Sequence, residues 1–237
     1  MKNFKIHKTE IGSNKKTFII AEIAQAHDGS LGIAHSYIDL AKKCGADAVK
    51  FQTHFADLES SKEEKFRINF SYEDKTRFDY WKRMEFTKED WIGLKTHADK
   101  LGLIFISTPF SKKAFELLDN LKVPVWKISS GEVFNPELIK LYKASKKPIL
   151  ISSGMSSDIE IKELITDFKK VNQKLCLMQC TTKYPTPLQD VGLNYLLSIE
   201  NKFDVISGLS DHSGSLSPSI AAISNKISVI ECHLTFD

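Results

Sequence analysis

Two histidines stand at the ends of two apolar segments near the carboxyl end of the 237-residue chain. His212 follows the apolar residues 205–209 within the glycine-bracketed stretch 208–214, and His233 ends the apolar segment 229–233. One helical segment separates them, so a parallel barrel would bring both imidazoles to the same rim, where they could share a divalent metal. Each histidine alone could be an ordinary half-buried side chain with one hydrogen bond. Because the two histidines take matching positions at two strand ends, a shared metal site is a hypothesis that the sequence supports.

Polar side chains near other strand ends add groups that could bind an anion. Side chains alternate across a strand, so Glu231 and His233 share one face. The residues that fit the same inward face elsewhere are Glu22, Lys50, Lys127, Ser152 and Ser210. Buried lysines and carboxylates are costly unless they are paired, which makes a purely structural role for the whole set hard to explain. With the hydroxyl–glycine turns at 129–132 and 152–155, they would bind a phosphate and a carboxylate.

The elements that must position these residues form eight strand–helix alternations. The predicted strands are 18–23, 48–52, 103–108, 125–130, 149–153, 175–180, 204–209 and 228–234, and the predicted helices between them include 31–44, 88–101, 111–120, 136–145, 158–171, 192–201 and 216–225. Their count, their apolar strands and the chain length favour a single α/β domain over 1–237, a (β/α)8 TIM barrel. An open doubly wound sheet is the alternative. No Gly-x-Gly-x-x-Gly turn follows the first strand, which disfavours a dinucleotide site.

Three further segments complete the predicted architecture. Strands at 4–7 and 16–18, around a turn at 11–14, predict an N-terminal β-hairpin within about 1–18 that closes the bottom of the barrel. The long charged and aromatic segment 54–86 is typical of a lid or binding loop. The sequence ends directly after the eighth strand, so we expect a piece of a longer protein, with the last helix and a C-terminal domain absent from this chain.

Composition argues against several classes of protein. The formal charge is +3, without a basic block, which disfavours nucleic-acid binding. Apolar runs of about six residues are too short to span a membrane. Four cysteines and no hydrophobic leader predict free thiols in a reducing cytoplasm. Cys176 and Cys180 have the spacing of a ligand pair, but on a strand they are better explained as small core residues.

Six short motifs, in order from about residue 18 to 237, resemble the signature series of the N-acetylneuraminate (sialic acid) synthase family, the phosphoenolpyruvate-dependent nonulosonic acid synthases. The motifs are AEI with HDG at 21–29, ADAVKFQT at 46–53, KISSGE at 127–132, SSGM at 152–155, CTTKYPTP at 180–187 and GLSDH at 208–212. They cover nearly the whole chain, which makes the resemblance specific.

The resemblance implies a transferase that condenses phosphoenolpyruvate with an N-acyl hexosamine, N-acetylmannosamine or a related bacterial amino sugar, to give a nonulosonic acid and phosphate. It also implies Mn²⁺ or Mg²⁺ as cofactor, small-molecule substrates as partners, and a homodimer for the full-length protein. His212 and His233 would hold the metal, which polarises the sugar aldehyde. The residues implied for phosphoenolpyruvate are Lys50, Thr108, Lys127, Ser130, Ser152 and Ser210.

The same resemblance implies roles for three more side chains. Glu22 would position the sugar and serve in proton transfer, Glu132 would lie against the enolpyruvate, and Tyr184 would lie near the sugar. The implied catalytic residues are thus Glu22, Lys50, Glu132 and His212. Asp211 is expected to orient His212 or its loop.

The sequence departs from the family pattern at three positions. Ala26 precedes His27 where the family has Asn, Thr182 replaces an Asn that helps to bind phosphoenolpyruvate, and Gln179 replaces a His. We therefore expect a sugar pocket that differs from the family's, with a related bacterial sugar as substrate. Two alternatives stay open: a truncated or degenerate barrel that binds a ligand or partner without turnover, and another phosphoenolpyruvate-dependent aldol-type synthase. Three aromatic residues of the long loop, Tyr80, Trp81 and Phe86, are interpreted as packing, and His27 and His54 as rim residues that could be solvated.

Overall fold

A computed structural model describes residues 3–236 of the chain. Met1, Lys2 and Asp237, which fall within the predicted domain 1–237, lie outside the described residues. The strands are β1 (Asn3–Ile6), β2 (Thr9–Gly12), β3 (Phe18–Ala24), β4 (Ala48–Thr53), β5 (Ile104–Pro109), β6 (Trp126–Ile128), β7 (Ile149–Ser152), β8 (Leu175–Cys180), β9 (Ile206–Asp211) and β10 (Val229–His233). The helices are α1 (Leu31–Lys43), α2 (Ala56–Glu59), α3 (Arg77–Met84), α4 (Lys88–Lys100), α5 (Lys112–Asn120), α6 (Pro136–Ser145), α7 (Asp158–Lys169), α8 (Leu193–Phe203) and α9 (Leu216–Ser224).

Strands β3 to β10 form one parallel sheet that is nearly closed into a barrel. Hydrogen-bonded neighbours follow the order β5-β4-β3-β10-β9-β8-β7-β6, so strands that are consecutive in the chain lie side by side around the barrel. Within residues 3–236 no ladder joins β5 to β6, although the two strands contact each other. This arrangement confirms the predicted (β/α)8 barrel. Its consequence is that the carboxyl ends of all eight strands meet at one rim.

Helix starts are encoded locally by capping residues. Ser30 accepts a hydrogen bond from the backbone of Ile33 at the start of α1. Thr87 with Asp90, and Ser157 with Glu160, form capping boxes at α4 and α7. These side chains satisfy backbone N–H groups that have no partner inside the helix, and so fix where each helix begins after its strand.

The N-terminal hairpin closes the amino end of the barrel, as predicted. Phe4, Ile6 and Ile11 are buried in one apolar cluster with residues from the inward faces of the barrel strands. The predicted bounds of its strands were wrong: β1 pairs with β2 around His7 and Lys8, with no strand at residues 16 and 17. His7 adopts φ +53, a conformation that its residue type does not signal, and this permits a two-residue turn.

Two strand ends differ from the prediction in ways that matter for the rim. β9 extends to Asp211, two residues beyond the predicted end, which puts Ser210 within the strand and opposite Glu231 of β10. β6 stops at Ile128, because Ser130–Glu132 forms a 3₁₀ turn. Both differences arise where polar residues follow an apolar strand, since alternation alone does not mark the last paired residue.

The long segment after β4 is ordered by charge and by aromatic contacts. Arg83 donates hydrogen bonds to both carboxylate oxygens of Asp74 and to Oδ1 of Asp28, which ties the segment to the β3–α1 loop. Gly29 lies under this contact, where a Cβ would come within 2.5 Å of the Arg83 carbonyl oxygen. The segment is therefore anchored over the rim of the barrel. Among residues 3–236, no helix combines the length and the apolar character needed to cross a bilayer.

Candidate active site

A cavity of about 660 Å³ opens at the carboxyl ends of the barrel strands. This volume lies within the range of small-molecule binding sites. Strand ends supply its floor, and the segment after β4 supplies much of its outer wall. All twelve predicted site residues line it: Glu22, Lys50, Thr108, Lys127, Ser130, Glu132, Ser152, Thr182, Tyr184, Ser210, His212 and His233. The structure therefore brings the predicted residues together, while their individual roles stay predictions.

A network of two lysines and two glutamates forms the floor of the cavity. Lys50 Nζ lies 2.8 Å from Glu22 Oε2 and 3.7 Å from Glu231 Oε2. Lys127 Nζ donates to Glu231 Oε1 at 3.2 Å and to Ser152 Oγ at 2.8 Å. These side chains come from β3, β4, β6, β7 and β10 and are nearly inaccessible to solvent. Each buried charge thus has an opposite partner, as burial requires.

The two glutamates differ in their affinity for a proton. Burial raises the pKa of Glu22 to about 7, although the charge of Lys50 opposes this shift. Burial also acts to raise the pKa of Glu231, but Lys127 and Lys50 together hold it well below the usual carboxyl range. Glu22 is therefore the carboxyl group that can gain or lose a proton near neutral pH, whereas Glu231 stays ionised.

Sequence reasoning did not include Glu231 among the site residues. Its carboxylate binds Lys127 and accepts a hydrogen bond from Ser210 Oγ at 2.9 Å. The available signal was its position on the same face of β10 as His233. Alternation alone could not identify Glu231 as the partner of both lysines, because those contacts depend on how the barrel closes.

The two hydroxyl–glycine turns meet at the rim. The backbone N–H of Gly154 donates to Ser130 Oγ at 3.2 Å. A Cβ at Gly154 would lie 2.7 Å from the carbonyl oxygen of Cys180, so only glycine allows this approach. The turns therefore bring the hydroxyl groups of Ser130 and Ser152 to the cavity, the second of them 2.8 Å from Lys127 Nζ, which is part of the chemistry that the sequence suggested for an anion.

His212 and His233 lie next to each other at the rim of the cavity. Their ring centroids are 5.5 Å apart. His212 Nδ1 lies 2.8 Å from the carbonyl oxygen of Thr181, which can only accept, so Nδ1 carries the proton. Nε2 of the same ring is hydrogen-bonded to the Tyr184 hydroxyl group at 2.9 Å. Burial, followed by the nearby His212, lowers the pKa of His233 to about 4, so this ring is neutral at physiological pH. The pKa of His212 is raised instead: burial acts to lower it, but the contacts with Cys180 and the Thr181 carbonyl group outweigh burial.

Two imidazoles whose ring centroids lie 5.5 Å apart have the form of metal ligands. Fixing the tautomer of His212 through a backbone carbonyl is typical of ligating histidines. Within the described chain, no group of three or more His, Cys, Asp or Glu side chains is arranged to hold a metal. At this place the described residues offer the two imidazole rings of His212 and His233.

The outer part of the cavity is built by the segment after β4. His54 Nδ1 lies 2.6 Å from Glu59 Oε2, and its ring stacks between Trp81 and Phe110. Arg77 Nη1 donates to Glu64 Oε1 at 3.1 Å. Glu59, Glu64 and Arg77 were not predicted individually, because the segment has no periodicity that shows which side chains face inward.

Four further residues near the rim, His27, His54, Trp81 and Asp211, also had expected roles. His27 is wholly buried against Phe86, so the solvated alternative is wrong for it, and His54 is buried as well. Both were misread because they follow β3 and β4 in loops that the aromatic residues cover. Trp81 packs on His54 and also lines the cavity. Asp211 accepts from the Ser213 N–H and from Ser219 Oγ, and so orients its loop.

The two cysteines of β8 occupy different environments. Cys176 is fully buried in the apolar cluster below the floor, as expected for a core residue. Cys180 lines the cavity, with its Sγ 4.0 Å from His212 Nδ1 and 3.7 Å from Ser130 Oγ. Alternation explains the difference in depth, since both residues face inward and Met178 occupies the inward level between them.

Comparison with known proteins identifies a family. The model of the NeuB family matches residues 37–237. The chain is 36% identical to N,N'-diacetyllegionaminic acid synthase of Campylobacter jejuni, over 94% of this chain and 69% of that protein. It is 32% identical to human N-acetylneuraminate-9-phosphate synthase, over 96% of this chain and 64% of that protein. The chain spans about two thirds of the length of the curated relatives that it matches.

A solved structure shows the same likeness in three dimensions. The crystal structure of N-acetylneuraminic acid (sialic acid) synthetase from Leptospira borgpetersenii serovar Hardjo-bovis, in complex with citrate, superposes with a TM-score of 0.88. Sequence identity is 28%, and the match covers all of this chain and 79% of that one.

Proposed function

The chain belongs to the NeuB family, and from this premise we propose that it condenses phosphoenolpyruvate with an N-acyl hexosamine to give a nonulosonic acid and phosphate. The observation that carries the proposal is the floor of the cavity, where Lys50 and Lys127 lie beside hydroxyl groups and two histidines. A small anion and an aldehyde could bind there side by side. The sugar itself is N-acetylmannosamine or a related amino sugar.

In this proposal the two lysines bind the phosphate and carboxylate of phosphoenolpyruvate. Both are paired with carboxylates in the free site, so an incoming anion must compete with Glu22 and Glu231. Glu22 can give up its ion pair with Lys50 by taking up a proton, because its pKa lies near neutrality. Anion binding next to Lys50 then favours protonated Glu22 by electrostatics. Ser130, Ser152, Ser210 and Thr108 supply hydroxyl hydrogen bonds, and Thr182 and Tyr184 border the same space.

Bond making follows from this arrangement. Carbon 3 of the enol attacks the aldehyde carbon, and the aldehyde oxygen takes a proton, for which protonated Glu22 is the donor. Positive charge at carbon 2 is quenched when the oxygen of a water molecule adds there. The water gives up one proton as its oxygen bonds to carbon 2, and this proton restores protonated Glu22. The bond between carbon 2 and the phosphate oxygen then breaks, the new hydroxyl group gives its proton to the leaving phosphate, and carbon 2 becomes the ketone of the product. The lysines stabilise the departing phosphate with charge that is already in place.

We propose His212 and His233 as the residues that hold a divalent metal, Mn²⁺ or Mg²⁺. The 5.5 Å between their ring centroids and the contact that fixes His212 Nδ1 on the Thr181 carbonyl oxygen support this assignment. Such an ion, when bound, would act as a Lewis acid on the aldehyde oxygen. Imidazole nitrogen is a poor ligand for Mg²⁺, which prefers oxygen, so the donor set favours the transition metal.

Phosphate release tests the proposal. The protein is incubated with phosphoenolpyruvate, Mn²⁺ or Mg²⁺ and a panel of N-acyl hexosamines, with arabinose and erythrose phosphates as aldehydes of the other synthase class. We expect release that requires an amino sugar and a metal and is lost in Lys127→Ala. Binding of phosphoenolpyruvate without release across the panel would instead favour a barrel that binds without turnover.

We also propose that the full-length protein is a cytoplasmic homodimer. The four free cysteines support a reducing compartment. Light scattering on the full-length protein measures its oligomeric state, and a monomer would contradict the dimer.

A further inference from the structure

Another pair of histidines lies on the outer surface of the barrel, between α1 and α4. His35 belongs to α1 and His97 to α4, and the two helices contact each other. The ring centroids are 5.0 Å apart, and the two Nδ1 atoms lie 2.9 Å apart. Both residues are half-buried, and neither lines the active-site cavity. The proposed reaction therefore leaves this pair without a role.

A carboxylate fixes the orientation of one of the two rings. His97 Nε2 lies 3.0 Å from Oδ1 of Asp39, which lies one helical turn after His35 on α1. An ionised carboxylate can only accept, so Nε2 carries a proton, and in the neutral ring Nδ1 then has a free lone pair. A contact of this kind, from histidine to carboxylate, is typical of imidazoles that bind a metal through their other nitrogen.

The ring of His35 can present a lone pair as well. In the neutral pair the proton between the two Nδ1 atoms is on His35, because Nδ1 of His97 has none. Burial, followed by the nearby His97, lowers the pKa of His35, so this ring is neutral at physiological pH. A neutral imidazole can carry its proton on Nε2 instead of Nδ1, which frees Nδ1 without a change in charge. A bound cation would then replace the proton between the two rings.

The distance between the two Nδ1 atoms indicates which metal ions fit. Bonds of about 2.0–2.1 Å from one ion to two nitrogens 2.9 Å apart enclose an angle of about 90°. A tetrahedral site with the same bond length would hold the two nitrogens about 3.3 Å apart. An angle near 90° is that of square-planar and tetragonal sites, which with nitrogen ligands are typical of Cu²⁺ and Ni²⁺.

We propose that His35 and His97 form a metal site, separate from the histidines at the rim, that binds Ni²⁺ or Cu²⁺ and joins α1 to α4. Asp39 positions the ring of His97 in this site. Over residues 3–236, no group of three or more His, Cys, Asp or Glu side chains is placed to hold a metal, so the site is a two-histidine clip. A cation that binds there only in the folded chain stabilises the packing of the two helices.

Titration calorimetry with Ni²⁺ tests the proposal. It is carried out on the double variant His212→Ala, His233→Ala, so that the proposed ligands at the rim do not contribute. We expect one Ni²⁺ per chain, and no binding when His97→Ala or His35→Ala is added. Asp39→Asn keeps the shape of that side chain but removes its charge, and should raise Kd about tenfold or more.

The matched control removes a histidine elsewhere on the surface. His7 is exposed in the turn between β1 and β2 at φ +53, a conformation that asparagine tolerates. His7→Asn on the same background should therefore leave Ni²⁺ binding unchanged. Thermal unfolding adds a second measurement: with Ni²⁺ at about 100 times Kd, Tm should rise by about 5 °C or more, and His97→Ala should abolish the rise.

Two results would overturn the proposal. One is the absence of Ni²⁺ binding to the folded double variant, and the other is binding that survives both His97→Ala and His35→Ala. If the double variant does not fold, the wild-type chain is compared directly with His97→Ala, where a difference of one Ni²⁺ per chain is expected and equal binding would count against the site. The measurement is of metal binding and not of turnover, so its failure would leave the proposed function standing.

Discussion

Lys50 Nζ lies 2.8 Å from Glu22 Oε2 at the floor of the barrel, where the two side chains are 3% and 4% exposed. This pair controls how much positive charge the floor offers to an anion. With Glu22 ionised, the charge of Lys50 is neutralised, and with Glu22 protonated it is available. Because the pKa of Glu22 is raised to about 7, both states are populated near neutral pH.

The first prediction concerns Glu22 and pH. Protonated Glu22 is the proposed proton donor, and that form is lost as pH rises through about 7. We expect kcat/KM for phosphoenolpyruvate, which reports the free enzyme, to fall as pH rises through this value, and Glu22→Gln to remove that limb while lowering kcat by about 10²-fold or more. The pH profiles of wild type and variant are compared, with Glu163→Gln as control. If the alkaline fall of the pH profile persists in Glu22→Gln, the titrating group is not Glu22.

The second prediction concerns Glu231, which pairs with both lysines. Glu231→Gln leaves two buried ammonium groups with one carboxylate, so the free energy of unfolding should fall by about 3 kcal/mol. The folded pKa of Glu231 is lowered, so its contribution is present above the unfolded carboxyl pKa and is lost as pH falls through the folded value. Urea unfolding at several pH values measures both effects. The double variant with Lys127→Met should recover stability, and an equal or larger loss would contradict the pairing.

The third prediction concerns His27, which is fully buried against Phe86 and Phe51. Burial lowers its pKa to about 4, so the folded state holds this ring neutral while the unfolded chain would protonate it below about 6.5. Stability should therefore decline by up to about 3 kcal/mol as pH falls from 6.5 towards 4. His27→Phe should flatten this decline. Ile38→Val, a buried change without a titrating group, should lower stability and leave the pH dependence intact.

The fourth prediction concerns Lys146, which ends α6 in the left-handed conformation at φ +55. Glycine adopts this conformation without strain, so Lys146→Gly should raise the free energy of unfolding by about 0.5–1 kcal/mol. The control is Lys140→Gly, inside the same helix, which should lower it by about 1 kcal/mol. Thermal unfolding of both variants measures the difference, and shifts of the same sign would contradict the argument.

The fifth prediction concerns the proposed metal ligands. His212→Ala and His233→Ala should each weaken Mn²⁺ binding by about tenfold or more, measured by calorimetry in the absence of substrates. Tyr184→Phe removes only the hydroxyl that is hydrogen-bonded to His212 Nε2, so metal binding should be kept or improved. Unchanged Mn²⁺ affinity in both alanine variants would remove the histidines as ligands.

The sequence was most informative where structure repeats. Apolar strands alternating with amphipathic helices predicted the barrel, and period-two alternation placed Lys50, Lys127 and His233 on its inward face. It was least informative in segment 54–86, where Arg77 and Glu64 meet through a loop that has no periodicity. It also missed the turn at His7, because a positive φ at a residue other than glycine leaves no mark in the sequence.

By itself, the sequence determined the order of the elements and the set of side chains that reach one rim, because strand alternation and the barrel's parallel connectivity fix both. Only the tertiary structure decided which of those side chains pair. Lys127 and Glu231 are 104 positions apart, and their contact exists because the sheet curves until β6 and β10 face each other across the barrel. The same closure gives Glu22 and Glu231 different proton affinities, since the pKa of each depends on how many lysines lie within reach of its carboxyl group.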